Sequence, residues 1–327
     1  MVTKQRISIA FQTDKPLARY GELAQRAEGF GFDGISVYND MLFQPAWLPL
    51  LELARHTSRV EICVAAVNPF TCHPVNIAGN IALIDEASDG RARLGLARGG
   101  WLDHVGVHPR KPVQALREAL VCIRHLLSGS KAPLEQELFP VVGGDALRWE
   151  IHRPDIPMLL GSWGMKTIEQ CHSLVDEIKL GGSANPGIVG HYQQRLDRMG
   201  AESVGIVMGA VTVVDEDGAA ARALAKREVA LYLPVVAELD PTVQIDPGVL
   251  AGIKSAAANY DFAAATAFIS DELLAVFALA GTPADIVEQT QALFEAGASR
   301  VEYGTPHGLS DDSGLRLLGE KVLPAFR

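Results

Sequence analysis

The stretch Val60-Glu61-Ile62-Cys63-Val64-Ala65-Ala66-Val67-Asn68-Pro69-Phe70-Thr71-Cys72-His73-Pro74 starts apolar and ends in two X-Pro steps. An apolar run bounded by turn residues reads as a buried strand. Asn68-Pro69 and His73-Pro74 stop regular structure. The small pair Ala65-Ala66 falls where strand becomes loop, so a flat ligand could lie against the backbone there. Arg91-Ala92-Arg93-Leu94-Gly95-Leu96-Ala97-Arg98-Gly99-Gly100 repeats the pattern. Two strands whose C-terminal ends open into small residues predict a ligand floor at one end of a parallel sheet.

Outward from this core, strand and helix patterns alternate along the chain. Strands are expected at 6–11, 35–38, 60–65, 91–97, 156–160, 175–180, 203–214 and 299–303. Helices are expected at 16–29, 45–56, 73–87, 112–127, 166–171, 186–199, 217–233, 282–295 and 315–323. Thr282 reads as an N-cap with Pro283 at the first helical position. Two segments break the rhythm. Residues 130–153 form an insertion with an alternating strand at 147–151, and 240–280 form a second, partly helical insertion. Alternating βαβα order implies a parallel sheet. Eight strand–helix units over this length suit a (β/α)8 TIM barrel, one domain over 1–327 with these two insertions. A doubly wound sheet would prefer a glycine motif after the first strand, and Ala10-Phe11-Gln12-Thr13-Asp14 contains none.

The composition is that of a soluble globular enzyme, with 48% hydrophobic and 21% charged residues. A net charge of −10 argues against a general nucleic-acid binder. No apolar segment reaches transmembrane length, and Met1 to Arg6 leads into a strand with no signal-peptide core. The cysteines Cys63, Cys72, Cys122 and Cys171 form no C-x-x-C pair, which points to free thiols in a cytoplasmic protein.

Barrel enzymes place their sites at the C-terminal ends of the strands. That rule selects Phe11 and Gln12, Tyr38-Asn39-Asp40, Ala65 to Phe70, and Arg98-Gly99-Gly100-Trp101-Leu102-Asp103. It further selects Gly161-Ser162-Trp163-Gly164, Gly181-Gly182-Ser183-Ala184 and Gly304-Thr305-Pro306-His307-Gly308. Gly181-Gly182-Ser183 can offer backbone N–H groups and a hydroxyl to a phosphate at a helix N-terminus; glycines also simply permit tight βα turns. Asp40 is a candidate acid or ligand partner, set against a turn aspartate. His73 reads equally as a turn residue capping a helix or as a ligand contact. Asp103-His104 points to solvent, since adjacent helical residues diverge. His307 is a candidate ligand contact. H-E-x-x-H, G-x-S-x-G and Walker-type loops are absent from the sequence, and so are metal-ligand spacings.

Asn68-Pro69-Phe70-Thr71-Cys72-His73-Pro74, Asp85-Glu86-Ala87-Ser88-Asp89-Gly90-Arg91-Ala92-Arg93-Leu94-Gly95-Leu96 and Tyr303-Gly304-Thr305-Pro306-His307-Gly308 resemble the bacterial-luciferase-like superfamily. They most resemble its deazaflavin (coenzyme F420)-dependent methylene-tetrahydromethanopterin reductase branch, in order from about Ile7 to the C-terminus. The middle motif is general to the superfamily; the outer two are more specific. The resemblance implies a (β/α)8 barrel and hydride transfer between coenzyme F420 and a small-molecule substrate. It also implies a homodimer and a non-proline cis peptide at Ala65-Ala66 behind a flavin-type ring. Asp40 and His307 become the candidate catalytic residues. Ala65, Ala66, Asn68, Gly99, Gly161, Ser162, Gly181, Gly182, Ser183 and Gly304 become the candidate cofactor contacts. Two positions depart from the family. Ala10 stands where a glutamate is expected, and Asn39-Asp40 stands where an Asp-His pair is expected, so the resemblance covers the cofactor half and not the substrate half. The alternatives are an FMN-dependent monooxygenase and a barrel that binds a flavin or phosphate ligand without turnover. A barrel lyase finds no lysine at a predicted strand end.

Overall fold

The computed structural model describes residues 5–327, apart from the Asp311 side chain. Met1 to Lys4, read above as the lead into the first strand, lie outside the described residues. The elements in chain order are β1 (Arg6–Phe11), α1 (Leu17–Phe30), β2 (Gly34–Val37), α2 (Trp47–His56), β3 (Glu61–Val67), α3 (Pro74–Ala87), β4 (Ala92–Ala97) and α4 (Pro112–Leu127). They continue as β5 (Met158–Gly161), α5 (Met165–Cys171), β6 (Glu177–Gly181), α6 (Pro186–Arg198), β7 (Gly205–Val214), α7 (Gly218–Val229) and α8 (Leu233–Leu239). The rest are α9 (Pro247–Ala258), α10 (Phe262–Ala265), α11 (Asp271–Phe277), β8 (Ala278–Gly281), α12 (Pro283–Glu295), β9 (Arg300–Gly308) and α13 (Asp311–Leu317). The strand order is β6-β5-β4-β3-β2-β1-β9-β7-β8, with a further β6–β7 pairing, which is the order of a (β/α)8 barrel with β8 as a ninth strand beside β7. The strands are mostly apolar and buried on both faces, as parallel strands covered by helices must be, with charged residues confined to a few positions on β3, β4, β6 and β9 and at the start of β1; β1 is buried from Ile7 to Phe11.

Contacts divide the chain into two compact units. The first holds residues up to 10, 30–32 and 179–327; the second holds 11–29 and 33–178.

In the second unit β2, β3, β4 and β5 pair in parallel, Gly34 with Glu61, Ile62 with Ala92 and Leu94 with Met158. The β3–β4 register shifts between Val64 and Val67, and the Ala65-Ala66 peptide is cis, at the position the resemblance named. Gly95 on β4 makes this bulge possible: a Cβ there would lie 2.3 Å from the Val64 carbonyl oxygen. The general superfamily motif is structural. Arg91 donates to the carbonyl oxygens of Ser88, Val60, Ala54 and Thr57 and to Thr57 Oγ1. Asp85, fully buried, accepts from Ala92 N and from Arg153 Nη2 at 2.7 Å. The 147–151 strand does not form. The insertion carries only the antiparallel bridge Leu134–Val141. The alternation there reflects Trp149 lying over α3 at Gly79, and not a strand partner.

In the first unit β9 pairs with β1 and β7, Ser8 opposite Glu302 and Gly209 opposite Glu302, and β8 extends from β7 through Val211–Ala278. Four expectations need correction here. Residues 278–280, assigned to the 240–280 insertion, form β8 with Gly281; Ala278-Leu279-Ala280-Gly281 follows α11 with no intervening turn signal. The long helix from 217 ends at Val229, and Pro234 sits in the first turn of α8. The helix expected at 315–323 is α13, Asp311–Leu317, continued by a π turn from Leu318. The last strand runs on through Gly308, so Gly304 to Gly308 is strand and not loop. Proline ordinarily ends a strand, but the β7–β9 pairing shifts register between Val211 and Val213 and continues to His307 and Gly308; the Thr305-Pro306 peptide is cis. Thr282 caps α12 in a full capping box, as its sequence indicates.

Candidate functional site

The strand ends of the second unit carry the candidates of the cofactor half. Ala65 and Ala66 sit at the β3 bulge, each half-buried. The loop after it is fixed by Asn68, whose Oδ1 accepts from Phe70 N, Thr71 N and Thr71 Oγ1. Asn68 is therefore first a loop-forming residue. Its Nδ2 faces Gly99, where a Cβ would come within 3.1 Å and where φ is +84°, so only glycine fits comfortably. Gly161 ends β5 against the Ala97 side chain, and Ser162 Oγ accepts from Gly164 N. At Gly100 a side chain would meet nothing within 4 Å. His73 caps α3, its Nδ1 accepting from Val75 N, and Asp103 and His104 are exposed.

Asp40 follows β2 and is half-buried. Its Oδ2 accepts from Gln12 Nε2 at 2.8 Å. Thr13 N and Oγ1 donate to Gln12 Oε1, which fixes the amide so that its NH2 points at Asp40. Asn39 is occupied elsewhere, accepting from Ala46 N. Tyr20 ties the same corner, donating through its hydroxyl toward Gln12 O and Gln44 Oε1. Burial pushes the Tyr20 hydroxyl above its ordinary value, so it stays a donor.

The first unit carries the rest. Gly181 ends β6, and a Cβ there would meet nothing within 4 Å. Gly182, at φ +81°, donates to Gly209 O and lies under Val236 of α8, which a Cβ would meet at 2.8 Å. Ser183 is fully buried and its hydroxyl accepts from Asn185 N. Asn185 caps α6 at Gly187 N and donates to Asp240 and Thr242. The buried Asp240 carboxylate thus stands beside the positive end of α6, where an anion is favoured. Burial, reinforced by that carboxylate, pushes Tyr192 up to about 12. Gly304 is buried within β9, and His307 is buried with φ 76°.

Strand-end reasoning missed one group. Lys179 of β6 pairs with Glu302 of β9, and Ser8 Oγ donates to the same carboxylate. Glu302 is fully buried and Lys179 nearly so. The signal was present in the alternation of Glu177-Ile178-Lys179-Leu180, which turns two charged residues to one face of a strand. Among the described residues no group of three or more His, Cys, Asp or Glu is placed to hold a metal ion. No helix among them is long and apolar enough to cross a membrane.

Comparison with known proteins adds the following. The family model described as luciferase-like monooxygenase matches residues 1–300. A 5,10-methylenetetrahydromethanopterin reductase of Methanolobus tindarius is 25% identical over 96% of this chain and 98% of its own. The enzyme of the same name from Archaeoglobus fulgidus is 26% identical over 95% and 98%. Among solved structures, the coenzyme F420-dependent tetrahydromethanopterin reductase of Methanopyrus kandleri superposes with a TM-score of 0.90 at 23% identity, covering 99% of this chain and all of that one. The monooxygenase RslO1 of Streptomyces bottropensis superposes with a TM-score of 0.73 at 19% identity, covering 98% of this chain and 100% of that one.

Proposed function

We propose that this chain, which belongs to the luciferase-like monooxygenase family of oxidoreductases, uses coenzyme F420 to move a hydride to or from a small organic substrate. The observation that carries the reading is the β3 bulge at Ala65-Ala66, backed by the side-chain-free Gly95. The residues fit a flat ring and a phosphate. The bulge presents bare backbone and methyl groups, and the surfaces at Gly100 and Gly181 are open where a Cβ would meet nothing. F420, when bound, supplies hydride chemistry at C5 of its deazaflavin, which is the cofactor's own contribution.

The chain's residues supply position and charge. Ala65 and Ala66 back the ring, with Gly99, Gly161 and Ser162 at neighbouring strand ends of the same unit. In the other unit, the backbone of Gly181 and Gly182 is the phosphate candidate. Ser183 contributes by shaping that loop, since its buried hydroxyl already accepts from Asn185 N. Gly304 and His307 line the end of β9. Asp40, held by the oriented Gln12 amide, is the substrate-side hydrogen-bond acceptor.

Spectroscopic titration of the protein with F420 and, separately, with FMN tests the reading. Saturable F420 binding with no FMN binding is expected. The reverse pattern would establish the second reading, FMN-dependent monooxygenation, which the family description and the RslO1 likeness favour. Methylenetetrahydromethanopterin and acetone are the first probe substrates. The relatives of Methanolobus and Archaeoglobus are named for the first, and an F420-dependent secondary alcohol dehydrogenase solved with an F420-acetone adduct shares the fold at a TM-score of 0.77.

A further inference from the structure

The strand ends beside the Ala65-Ala66 bulge carry loops whose charge is opposite to that of the chain. In the second unit β3, β4 and β5 pair in parallel, with Val67 opposite Leu96 and Ala97 opposite Gly161, so the three strands end side by side. A Cβ on Gly99, the residue after Arg98, would lie 3.1 Å from Asn68 Nδ2, so the loop after β4 starts against the loop that leaves the bulge. Residues 98–111 then hold Arg98, His104, His108, Arg110 and Lys111 against a single acid, Asp103, in a chain of net charge −10. These five are exposed, and so is Lys166 in the first turn of α5, which follows β5. Lys111 is taken by Glu137. The side chains of Arg98, Arg110 and Lys166 form no ion pair or hydrogen bond among the described residues.

We infer that Arg98, Arg110 and Lys166 form the binding surface for the γ-glutamyl tail of the cofactor; this rests on the F420 reading above. The tail lies beyond the cofactor's phosphate and is a chain of carboxylates, a part that FMN lacks altogether. An acidic chain repels a polyanion, and a local patch of opposite sign reverses that field and raises the local concentration of the ligand. Here the reversal falls at strand ends of the same unit that offers the ring its floor. Arginine forks meet carboxylates through two hydrogen bonds at a time, and lysine adds a point charge. Three exposed cations that pair with nothing add no interaction to the fold, and they remain available to a ligand. Their exposure suits a tail of variable length, because each carboxylate exchanges water for a cation without being buried. The patch therefore adds selection by charge, favouring the deazaflavin cofactor over a flavin nucleotide, to the fit of the ring.

The size of the effect follows from the exposure. Exposed ion pairs are each worth little, so three together are expected to tighten binding of the glutamylated cofactor about three- to thirtyfold at low ionic strength. Salt screens such pairs, since the Debye length falls from about 30 Å at 0.01 M to about 10 Å at 0.1 M.

Equilibrium titration tests the inference without a substrate. It compares F420 carrying its glutamates with the same cofactor cut back to its phospholactyl group, so that ring and phosphate are common to both. Wild type is expected to bind the glutamylated form about three- to thirtyfold more tightly in about 10 mM salt, and the ratio to fall towards one by about 0.5 M. R98Q/R110Q/K166Q is expected to bring the ratio to about one at low salt. R55Q/R59Q/K131Q removes the same charge at exposed positions near the opposite ends of the same unit's strands, and is expected to keep the wild-type ratio. Equal affinity of wild type for the two forms at low salt overturns the inference, as does a ratio that the first variant keeps or the second abolishes. If R98Q/R110Q/K166Q does not fold, salt decides: a wild-type ratio that does not fall as salt rises overturns it. Failure of wild type to bind either form instead overturns the F420 reading on which the inference rests.

Discussion

Gly95→Ala is the sharpest perturbation of the proposed ring-binding backbone, because it adds one methyl group at the point where two strands nearly touch. The new Cβ would lie 2.3 Å from Val64 O, 3.3 Å from Ala65 Cα and 3.4 Å from Leu159 Cδ2. Cβ atoms keep roughly 3.0 Å from such atoms, so the Val64 carbonyl must retreat by about 0.7 Å. It belongs to the backbone of a central strand and has no rotamer to change. Forcing extra volume into a packed core costs about 1–3 kcal/mol. Gly95 lies outside the positive-φ region, so alanine is conformationally allowed and gains about 0.4–1 kcal/mol by restricting the unfolded chain. The net expectation is a destabilisation of about 1–2 kcal/mol, read by urea unfolding. Gly100→Ala is the control. Nothing lies within 4 Å of its Cβ position and its φ is not positive, so it is expected to be neutral or slightly stabilising. Gly95→Ala is also expected to weaken F420 binding at least about tenfold, or 1.4 kcal/mol, since the displaced atoms belong to the Ala65-Ala66 bulge. A Gly95→Ala protein as stable as wild type, binding F420 unchanged, would refute the reasoning.

Other expectations follow from the same structure. Arg91→Met removes five hydrogen bonds to backbone and Thr57 oxygens at one side chain, and is expected to cost about 2–4 kcal/mol in urea unfolding without changing cofactor specificity. Arg153→Met strips the partner from the buried Asp85 carboxylate. Arg153 is partly exposed, so the loss is expected near the lower end of the ~3–5 kcal/mol typical of a broken buried pair. Glu28 accepts from Ser58 N, Arg59 N and Val60 N. Partial burial pushes its carboxyl up, but these donors outweigh that and leave it below the usual glutamate range. A lowered folded pKa gives stability that is present above the unfolded value and lost as pH falls through the folded one. Urea midpoints of wild type and Glu28→Gln are therefore expected to differ at pH 7 and converge in acid. Burial pushes Cys122 and Cys171 up to about 11, Cys63 is 2% exposed, and Cys72 is half-buried. One thiol is expected to react with a disulfide reagent in the native protein and four after unfolding.

What the sequence disclosed, and what it withheld, divides along physical lines. Features that act through backbone left marks that single residues can carry. Glycine at 95 and alanine at 65 and 66 are small for steric reasons that hold wherever a bulge meets a neighbouring strand, and Thr282 with Pro283 caps a helix by local chemistry alone. Features that depend on tertiary partners left none. Residues 147–151 alternate as a strand does, but alternation does not supply a strand partner, and here Trp149 lies against Gly79 of α3 instead. β8 is Ala278-Leu279-Ala280-Gly281 following a helix without a turn, and pairing with β7 is what makes it a strand. His307 belongs to β9 because a register shift against β7 lets the pairing run past residues that would ordinarily end it. The same logic explains why the Lys179–Glu302 pair stayed dark. Lys179 lies two residues inside its strand, where a search of strand ends passes over it, and its partner Glu302 comes 123 positions later in the chain. The pair becomes visible only when Gly209 on the neighbouring β7 is seen to leave room for the lysine side chain, a fact that no reading of β6 alone contains.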